Sequence, residues 1–188
     1  MTAPLSISGF VLAGGESRRM GQNKALLLYY GAPLLERVAS QVRQAAGSVT
    51  ILGDPQIYAA FGMPIVPDFH RNCGPIGGLH AALTSMNTER CLLVACDLPN
   101  ISAEFLRQLV DHSSETLCVA AEEADGLQPL CAVYHRDCLP AVEACIAEGQ
   151  FRMRTLASRM NAKGIPVDAS LMRNVNTPEQ WRQVVEAK

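Results

Sequence analysis

Short apolar runs alternate with segments of helical periodicity along the chain, and this alternation constrains the fold more than any other feature. Residues 7–12 form the first run, and residues 90–95 form a later one that is apolar throughout after its first residue. A strand that is apolar on both faces belongs in a sheet covered by helices on each side. Between such runs, apolar side chains recur at helical spacing over residues 33–46 and 76–86. The pattern predicts an α/β fold with a mostly parallel sheet.

The remaining elements follow from shorter signals. Further strands are predicted, in chain order, over residues 48–52, 116–121, 130–134 and 165–167. Pro33 suits the first position of the first helix, Gly47 suits its end, and Ser102 suits the N-cap of a later helix. Three shorter helical patterns fill the last third of the chain. No repeat and no long linker interrupts the sequence, so we expect a single domain over residues 1–188.

Composition excludes several classes of function. The formal net charge is −2, so we expect no nucleic acid and no membrane surface as partners. No apolar stretch approaches the length of a transmembrane helix, and the first fifteen residues do not form a signal peptide pattern. The seven cysteines form no C-x-x-C pair, and several lie inside apolar runs. We therefore expect buried thiols and a cytoplasmic location.

The segment that follows the first predicted strand, residues 12–24, concentrates glycines and cations. Gly14 and Gly15 allow backbone amides to approach a ligand closely, and Arg19 and Lys24 can neutralise phosphate oxygens. Neither the Walker A pattern nor the G-x-G-x-x-G fingerprint occurs here. The residues alone leave two interpretations open, a phosphate-binding loop and a solvated glycine turn with surface arginines.

Asp97 is the most informative carboxylate in the sequence. It follows the apolar run of residues 90–95 and precedes Pro99. A carboxylate delivered by a buried strand needs a compensating partner, because an unpaired buried charge is strongly unfavourable. A magnesium ion would provide one, since it prefers carboxylate oxygens together with substrate phosphates and water. A helix cap or a salt bridge is the alternative.

Several other side chains are candidates for ligand contacts. Asp68 follows a short apolar segment and precedes a glycine-proline turn that enters a helix. The start of that helix either faces an anion, packs under the first loop or is a turn with no ligand. Asn174 and Asn176 precede the last helical pattern, and Asn176 is either a helix cap or a ligand contact. Arg152 and Arg154 either approach a phosphate of a ligand or lie on a solvated helix face.

These motifs resemble those of the molybdenum cofactor guanylyltransferases, nucleotidyltransferases with a glycosyltransferase-like Rossmann architecture. Residues 12–24 match the signature L-A-G-G-x-S-x-R-M-G-x-x-K, and residues 96–99 match C-D-x-P. The G-P-x-x-G turn at residues 74–78 and the N-V-N-T-P stretch at residues 174–178 follow the same order. The resemblance covers residues 9–181. It implies a three-layer α/β/α sandwich with a mostly parallel sheet and one late antiparallel strand.

The resemblance also implies roles for individual residues. It makes Arg19, Lys24 and Asp97 the catalytic residues, with Asp97 binding Mg²⁺ and the two cations stabilising the departing pyrophosphate. The residues that it assigns to the nucleotide, the metal or the acceptor are Leu12, Ala13, Gly14, Gly15, Lys24, Gly53, Asp68, Asp97, Asn174 and Asn176. Asn176 contacts either the acceptor or the metal. Where the family has an asparagine near the base, this chain has Gly53.

The implied reaction is transfer of GMP from GTP to Mo-molybdopterin, which yields the guanine dinucleotide cofactor and pyrophosphate. Molybdenum-insertion proteins and apo-molybdoenzymes are the implied further partners. One rival is a cytidylyltransferase for the same pterin, a branch whose first loop resembles L-A-A-G where this chain has Ala13, Gly14 and Gly15. Other rivals are a nucleotidylyltransferase for another small molecule, such as a sugar phosphate, and a non-catalytic nucleotide-binding module.

Overall fold

The computed structural model describes residues 6–13, 23–68, 70 and 72–174. The strands among these residues are β1 Ile7–Leu12, β2 Leu28–Tyr29, β3 Ala32–Pro33, β4 Thr50–Leu52, β5 Ile65–Val66, β6 Arg90–Ala95, β7 Cys118–Glu123, β8 Gly126–His135 and β9 Lys163–Pro166. The α-helices are α1 Leu34–Ala46, α2 Pro55–Tyr58, α3 Pro75–Ser85, α4 Ala103–Asp111, α5 Leu139–Ala147 and α6 Met153–Arg159. Short 3₁₀ turns occupy Lys24–Leu26, Ala59–Phe61 and Arg136–Cys138.

Seven of these strands form one sheet in the order β5-β4-β1-β6-β8-β7-β9, and β2 pairs with β3 in a separate small hairpin. The pairs β4–β5, β1–β4, β1–β6 and β7–β9 are parallel, whereas β8 is antiparallel to both of its neighbours. Six strands of the sheet therefore point one way and β8 alone points the other way. This confirms the mostly parallel sheet with one late antiparallel strand.

Helices cover both faces of the sheet, which confirms the three-layer sandwich. Helices α1 and α4 pack on one face, and α3, α5 and α6 pack on the other. Buried side chains that the first pair of helices contributes include Leu35, Val38, Val42, Phe105, Leu106 and Leu109. Those on the opposite face include Ile76, Leu79, Leu83, Val142, Met153 and Leu156. Both sets pack against strands whose central residues are fully buried, as expected for a doubly covered sheet.

The strongest sequence signals locate their elements well. β1 and β6 have the predicted bounds, and the Ser102 hydroxyl accepts the Phe105 N–H at 3.2 Å as the N-cap of α4. Gly47 ends α1 with φ +74°. The prediction that Pro33 is the first helical residue is wrong, because Pro33 has ψ 142° and is the N-cap. The extended backbone there belongs to the hairpin, and the Leu34 N–H donates to the Leu27 carbonyl at 2.9 Å.

Weaker signals misplace some boundaries. β4 begins at Thr50, two residues later than predicted. The strands predicted over residues 116–121 and 130–134 form one long hairpin, with β7 ending at Glu123 and β8 beginning at Gly126. Gly126 has φ +115°, which allows the tight connection. The tip of this hairpin is polar and partly exposed, so it carries no apolar alternation by which to predict it.

All seven cysteines lie in the described part of the chain as free thiols, and every one except Cys73 is buried. This confirms that most of them act as small hydrophobic residues. Among the described residues, no helix combines the length and the apolar surface that a membrane crossing needs.

Candidate functional site

The carboxyl ends of the four adjacent parallel strands β5, β4, β1 and β6 form one edge of the sheet, and several predicted site residues lie at or just beyond these ends. Backbone hydrogen bonding between neighbouring strands continues one residue beyond the end of each strand. The Ala13 N–H donates to the Leu52 carbonyl at 3.0 Å, and the Gly53 N–H donates to the Val66 carbonyl at 3.1 Å. The Cys96 N–H donates to the Leu12 carbonyl at 3.1 Å. The backbone at Ala13, Gly53 and Cys96 is therefore fixed, and open α/β sheets bind their ligands at such an edge.

Lys24 and Asp97 meet at this edge although 73 residues separate them in the sequence. The Lys24 Nζ lies 3.2 Å from the Asp97 Oδ2, and each side chain is 20% exposed. Lys24 begins the 3₁₀ turn, which Asn23 caps by accepting the Ala25 N–H at 3.0 Å. A salt bridge was one of the alternatives for Asp97, and the structure shows it. The same carboxylate remains the predicted metal ligand.

The thiol of Cys96, the residue before Asp97, is unreactive near neutral pH. Cys96 is buried, and burial followed by the charge of Asp97 raises the pKa of its thiol to about 12. Since the thiolate is the reactive form of cysteine, a thiol with this pKa is a poor nucleophile near neutral pH. Cys96 therefore contributes packing beneath the site.

Tyr58 joins the two ends of the first loop. Its hydroxyl donates to the Ala13 carbonyl at 2.7 Å, and the Asn23 Nδ2 donates to the same hydroxyl at 3.0 Å. Asn23 uses its Oδ1 to accept the Ala25 N–H, and its Nδ2 makes the shorter of its two contacts with the Tyr58 hydroxyl, 3.0 Å against 3.4 Å for Oδ1. The hydrogen bonds run in one direction from Ala25 through Asn23 and Tyr58 to Ala13. Tyr58 thereby fixes the positions where the first loop leaves β1 and where it reaches Lys24.

Tyr58→Phe should lower the free energy of unfolding by about 1–3 kcal/mol, because it leaves the buried Ala13 carbonyl without this partner. The phenylalanine ring keeps the packing. Asn23→Ser is the matched control, since serine also caps helix starts but is too short to reach Tyr58. Urea denaturation of the two variants should give the larger loss for Tyr58→Phe. If Tyr58→Phe changed the free energy of unfolding by less than about 0.5 kcal/mol, the hydroxyl would not hold the loop ends.

Gly53 has a packing role that the sequence did not reveal. A Cβ atom at this position would lie 2.6 Å from the Tyr58 ring, so only glycine lets the ring close over the end of β4. Gly53 is buried beneath that ring. Its predicted contact with the nucleotide stays a prediction, whereas its steric role in seating Tyr58 is visible.

Asp68 lies two residues beyond β5, as predicted, and it shapes the start of α3. Its Oδ1 accepts the His70 N–H at 2.8 Å. A Cβ on Gly77 would lie 2.7 Å from that oxygen, so this glycine lets the first turn of α3 pack on the carboxylate. The ends of β5 and β6 are three strand spacings apart, or roughly 14 Å. The sheet does not bring Asp68 to Asp97, and its nucleotide contact stays a prediction.

A cleft of about 490 Å³ opens beside Asp97, a volume suited to a small-molecule ligand. Its polar lining residues include Asp97, Gln128, Arg152, Arg154 and Asn174. Its apolar lining residues include Leu98, Leu130, Phe151, Met153 and Met172. The structure thus brings Asn174 and the two candidate arginines to the same cleft as Asp97.

The antiparallel strand β8 builds one wall of this cleft. Its register against β7 shifts between Ala120 and Ala121, which pair with Ala132 and Gln128. Residues 129–131 are therefore extra on β8, and this bulge accommodates Pro129 within a strand. The Tyr134 hydroxyl donates to the Pro129 carbonyl at 2.6 Å and fixes the bulge. Because β8 runs antiparallel, the bulge lies at the edge where β6 ends.

Two polar groups of the cleft are held by the hairpin tip. The Gln128 Nε2 donates to the Glu123 Oε2 at 2.7 Å. The Arg154 Nη2 lies 3.1 Å from the Asp125 Oδ2, and both side chains are more than half exposed. An exposed ion pair of this kind contributes only about 0.2–1 kcal/mol, so Arg154 can exchange Asp125 for an anionic ligand.

Four of the predicted site residues, Gly14, Gly15, Arg19 and Asn176, lie outside the described residues. Sequence reasoning missed Tyr58, the capping role of Asn23, and most of the apolar cleft lining. The Asn-x-Ala spacing before the 3₁₀ turn is a weak signal for Asn23. Tyr58 carries no comparable signal, because its importance depends on the contact between α2 and the end of β1.

Comparison with known proteins gives a consistent result. Residues 9–163 match the family of the MobA-like NTP transferase domain. A Pelotomaculum thermopropionicum protein named "Probable molybdenum cofactor guanylyltransferase" is 39% identical over 74% of this chain and 68% of its own length. A Xanthomonas euvesicatoria protein named "Molybdenum cofactor guanylyltransferase" is 36% identical over 98% of this chain and 97% of its own.

The fold of a solved structure agrees as well. The crystal structure of molybdopterin-guanine dinucleotide biosynthesis protein A from Archaeoglobus fulgidus superposes with a TM-score of 0.82 at 25% identity. The superposition covers 96% of this chain and 97% of the other. The likeness therefore extends over the sheet, both helical layers and the cleft, and is not confined to the signature loop.

Proposed function

Because the chain belongs to the family of MobA-like NTP transferase domains, we propose that it transfers GMP from GTP to Mo-molybdopterin. The products are the molybdopterin guanine dinucleotide cofactor and pyrophosphate. Two relatives more than 30% identical to this chain are named for the guanylyltransferase activity, and one of them matches along nearly its whole length. The names of these relatives support GTP as donor and the molybdenum cofactor as acceptor.

The observation that carries the proposal is the contact between Lys24 and Asp97. It joins the end of the cation-rich first loop to the wall of the cleft. A nucleotidyl transfer needs its triphosphate and its acceptor side by side, with the reacting phosphorus between them. The geometry supports a triphosphate on the loop side of Asp97 and an acceptor in the cleft.

The proposed chemistry needs no nucleophile from the protein. A terminal phosphate oxygen of the acceptor attacks the α-phosphorus of GTP, forming a new P–O bond as the bond to the β-phosphate oxygen breaks. Pyrophosphate leaves with the electron pair of that bond. The ammonium of Lys24 faces the developing negative charge, and the backbone of Ala13, which is paired within the protein, fixes the start of the first loop. Catalysis of this type rests on positioning and electrostatic stabilisation.

The residues at Asp97 fit a magnesium ion. Mg²⁺ in phosphoryl-transfer sites commonly takes one or two protein carboxylates and completes its shell with phosphate oxygens and water. Asp97 supplies a carboxylate at a strand end, and its side chain is partly open to the cleft. When bound, Mg²⁺ would neutralise charge on the triphosphate oxygens. Lys24 beside the same carboxylate would keep it oriented.

The residues that line the cleft suit the proposed acceptor. A pterin phosphate combines a flat polar ring system with an anion. Phe151, Met153 and Met172 offer apolar contact, and Arg152 and Arg154 offer cations for the phosphate. Asn174 offers an amide that can donate and accept hydrogen bonds. This combination supports a pterin phosphate over a sugar phosphate, whose hydroxyl groups would make little use of the apolar lining.

Turnover with a panel of nucleotides and acceptors tests the function. With molybdopterin as acceptor, we expect kcat/KM for GTP to exceed that for CTP and ATP by roughly tenfold or more, since hydrogen-bonding sites discriminate strongly between polar groups. Gly14 supports a purine, because glycine leaves more room than the alanine of the cytidylyl branch. Pyrophosphate release would be the measurement. CTP equal to GTP would indicate a cytidylyltransferase, and turnover with sugar phosphates alone would exclude the pterin. Nucleotide binding without turnover would indicate a non-catalytic module.

The proposed product must be handed to an apoenzyme. We propose molybdenum-insertion proteins and apo-molybdoenzymes as the partners that supply the acceptor or receive the product. We also propose a cytoplasmic location, which suits a chain whose seven cysteines are free thiols.

A further inference from the structure

Asn100 connects two segments that lie far from it in the sequence, one before it and one after it along the chain. The Tyr29 hydroxyl donates to the Asn100 Oδ1 at 2.9 Å, across 71 residues. The Asn100 Nδ2 donates to the Ser170 carbonyl at 3.2 Å, across 70 residues. A carbonyl can only accept, so Nδ2 must face Ser170 and Oδ1 must face Tyr29. One amide group therefore holds both segments in a fixed relation to the turn that carries Asp97.

The first segment is the β2–β3 hairpin, which directly follows the turn of Lys24. Tyr29 is buried there with Leu34. The Arg37 guanidinium lies 5.0 Å from the Tyr29 ring centre, and the Arg37 Nε donates to the Pro99 carbonyl at 2.7 Å. This hairpin is thus attached to the Asp97 turn at two points, through Arg37 as well as through Asn100. Loss of the Asn100 contact alone leaves it anchored.

The second segment, residues 168–174, has fewer ties. Its internal hydrogen bonds run from the Ser170 N–H to the Asp168 Oδ1, from the Leu171 N–H to the Asp168 carbonyl and from the Met172 N–H to the Ala169 carbonyl. Met172 is buried in the core beneath the cleft, whereas Ser170 and Asn174 are exposed. Within the described chain, Asn100 is the one side chain outside this segment that donates a hydrogen bond to it. Met172 and Asn174 both line the cleft.

We propose that Asn100 is a positioning residue that sets residues 170–174 against Asp97 and thereby fixes one wall of the acceptor site. The inference rests on the proposed function, because it assigns the cleft to the acceptor. Asn100 is not among the described residues that line the cleft. Its effect is on how tightly the acceptor binds, because Met172 and Asn174 line the cleft in which the acceptor is proposed to lie.

Three variants separate the two contacts of the amide. Asn100→Ala removes both, Asn100→Asp keeps an oxygen for Tyr29 but loses the donor to Ser170, and Tyr29→Phe removes only the Tyr29 contact. We expect Asn100→Ala and Asn100→Asp each to raise the KM for molybdopterin roughly five- to tenfold, the effect of losing one net hydrogen bond. The KM for GTP and kcat at saturating acceptor should change less than about twofold. Tyr29→Phe should leave the KM for molybdopterin within about twofold of the original value.

Hydrogen–deuterium exchange of the amides of residues 168–174 gives a readout that needs no turnover. Exchange there should become faster in both Asn100 variants and stay unchanged in Tyr29→Phe. An Asn100→Asp variant with an unchanged KM for molybdopterin, or with unchanged exchange, would overturn the inference. A fall in kcat together with similar rises in both KM values and a lower Tm would also overturn it, because these changes would indicate a general structural role. Failure of the unsubstituted protein to use GTP and molybdopterin would instead overturn the proposed function, and the exchange data would still decide whether Asn100 holds the segment.

Discussion

Asp97→Asn should remove most nucleotidyl transfer while leaving the fold intact. The amide has nearly the shape of the carboxylate, and its oxygen can still accept a hydrogen bond from the Lys24 Nζ. What disappears is the negative charge that would hold a divalent cation against the triphosphate. We expect kcat to fall roughly a hundred- to a thousandfold, the scale of losing one preorganised electrostatic contact in an active site. The assay is pyrophosphate release at several concentrations of Mg²⁺.

The matched control for this variant is Asp111→Asn, which neutralises an exposed carboxylate at the far end of α4. It makes the same change in net charge away from the cleft and should keep full activity. Thermal unfolding of both variants would verify that each is folded. Turnover of Asp97→Asn within about threefold of the original, with the usual Mg²⁺ dependence, would show that another group binds the metal.

Lys24→Ala should cost roughly 2–4 kcal/mol of transition-state stabilisation, which is about thirty- to a thousandfold in kcat/KM. The substitution removes a cation that is proposed to face the departing pyrophosphate, and it also leaves Asp97 without this partner. Lys24→Arg keeps the charge but changes its geometry, so it should recover only part of the activity. Steady-state rates for both variants at saturating Mg²⁺ provide the measurement.

Lys163→Ala serves as the control for loss of a surface cation. Lys163 is exposed and begins β9, at the edge of the sheet opposite to the site. It should leave kcat/KM unchanged. A loss of kcat/KM below about threefold in Lys24→Ala would mean that the first loop is a solvated turn, the alternative that the residues alone left open.

The two central strands could be placed from the sequence because their signal is local. β1 and β6 are runs of apolar residues that are buried on both faces, and no tertiary contact is needed to recognise them. The position of Asp97 follows directly, since it is the first charged residue after β6. The strands β7 and β8 were predicted too short at the tip of their hairpin. Glu122 and Glu123 pair there through backbone hydrogen bonds, which a pattern of polar side chains does not predict.

The contacts of the site could not be predicted in the same way. Lys24 reaches Asp97 only because Tyr58 and Asn23 fix the end of the loop, and this arrangement depends on three segments meeting in space. Gly53 was predicted as a ligand contact, but the ring of Tyr58 gives it a steric role that sequence spacing alone does not reveal. Asn100 is similar, because its two partners lie about 70 residues away in opposite directions along the chain.

The antiparallel course of β8 also sets the order in which the molecule can assemble. β7 joins the rest of the sheet only through β8, since β8 lies between it and β6. β7 and β8 are neighbours in sequence and can pair within microseconds, whereas β8 must find β6 across a long intervening segment. We therefore expect the hairpin to form first and then to pair with the free edge of β6. Until it docks, β6 is an unpaired apolar edge prone to aggregation, and the wall formed by the bulge of β8 does not yet face Asp97.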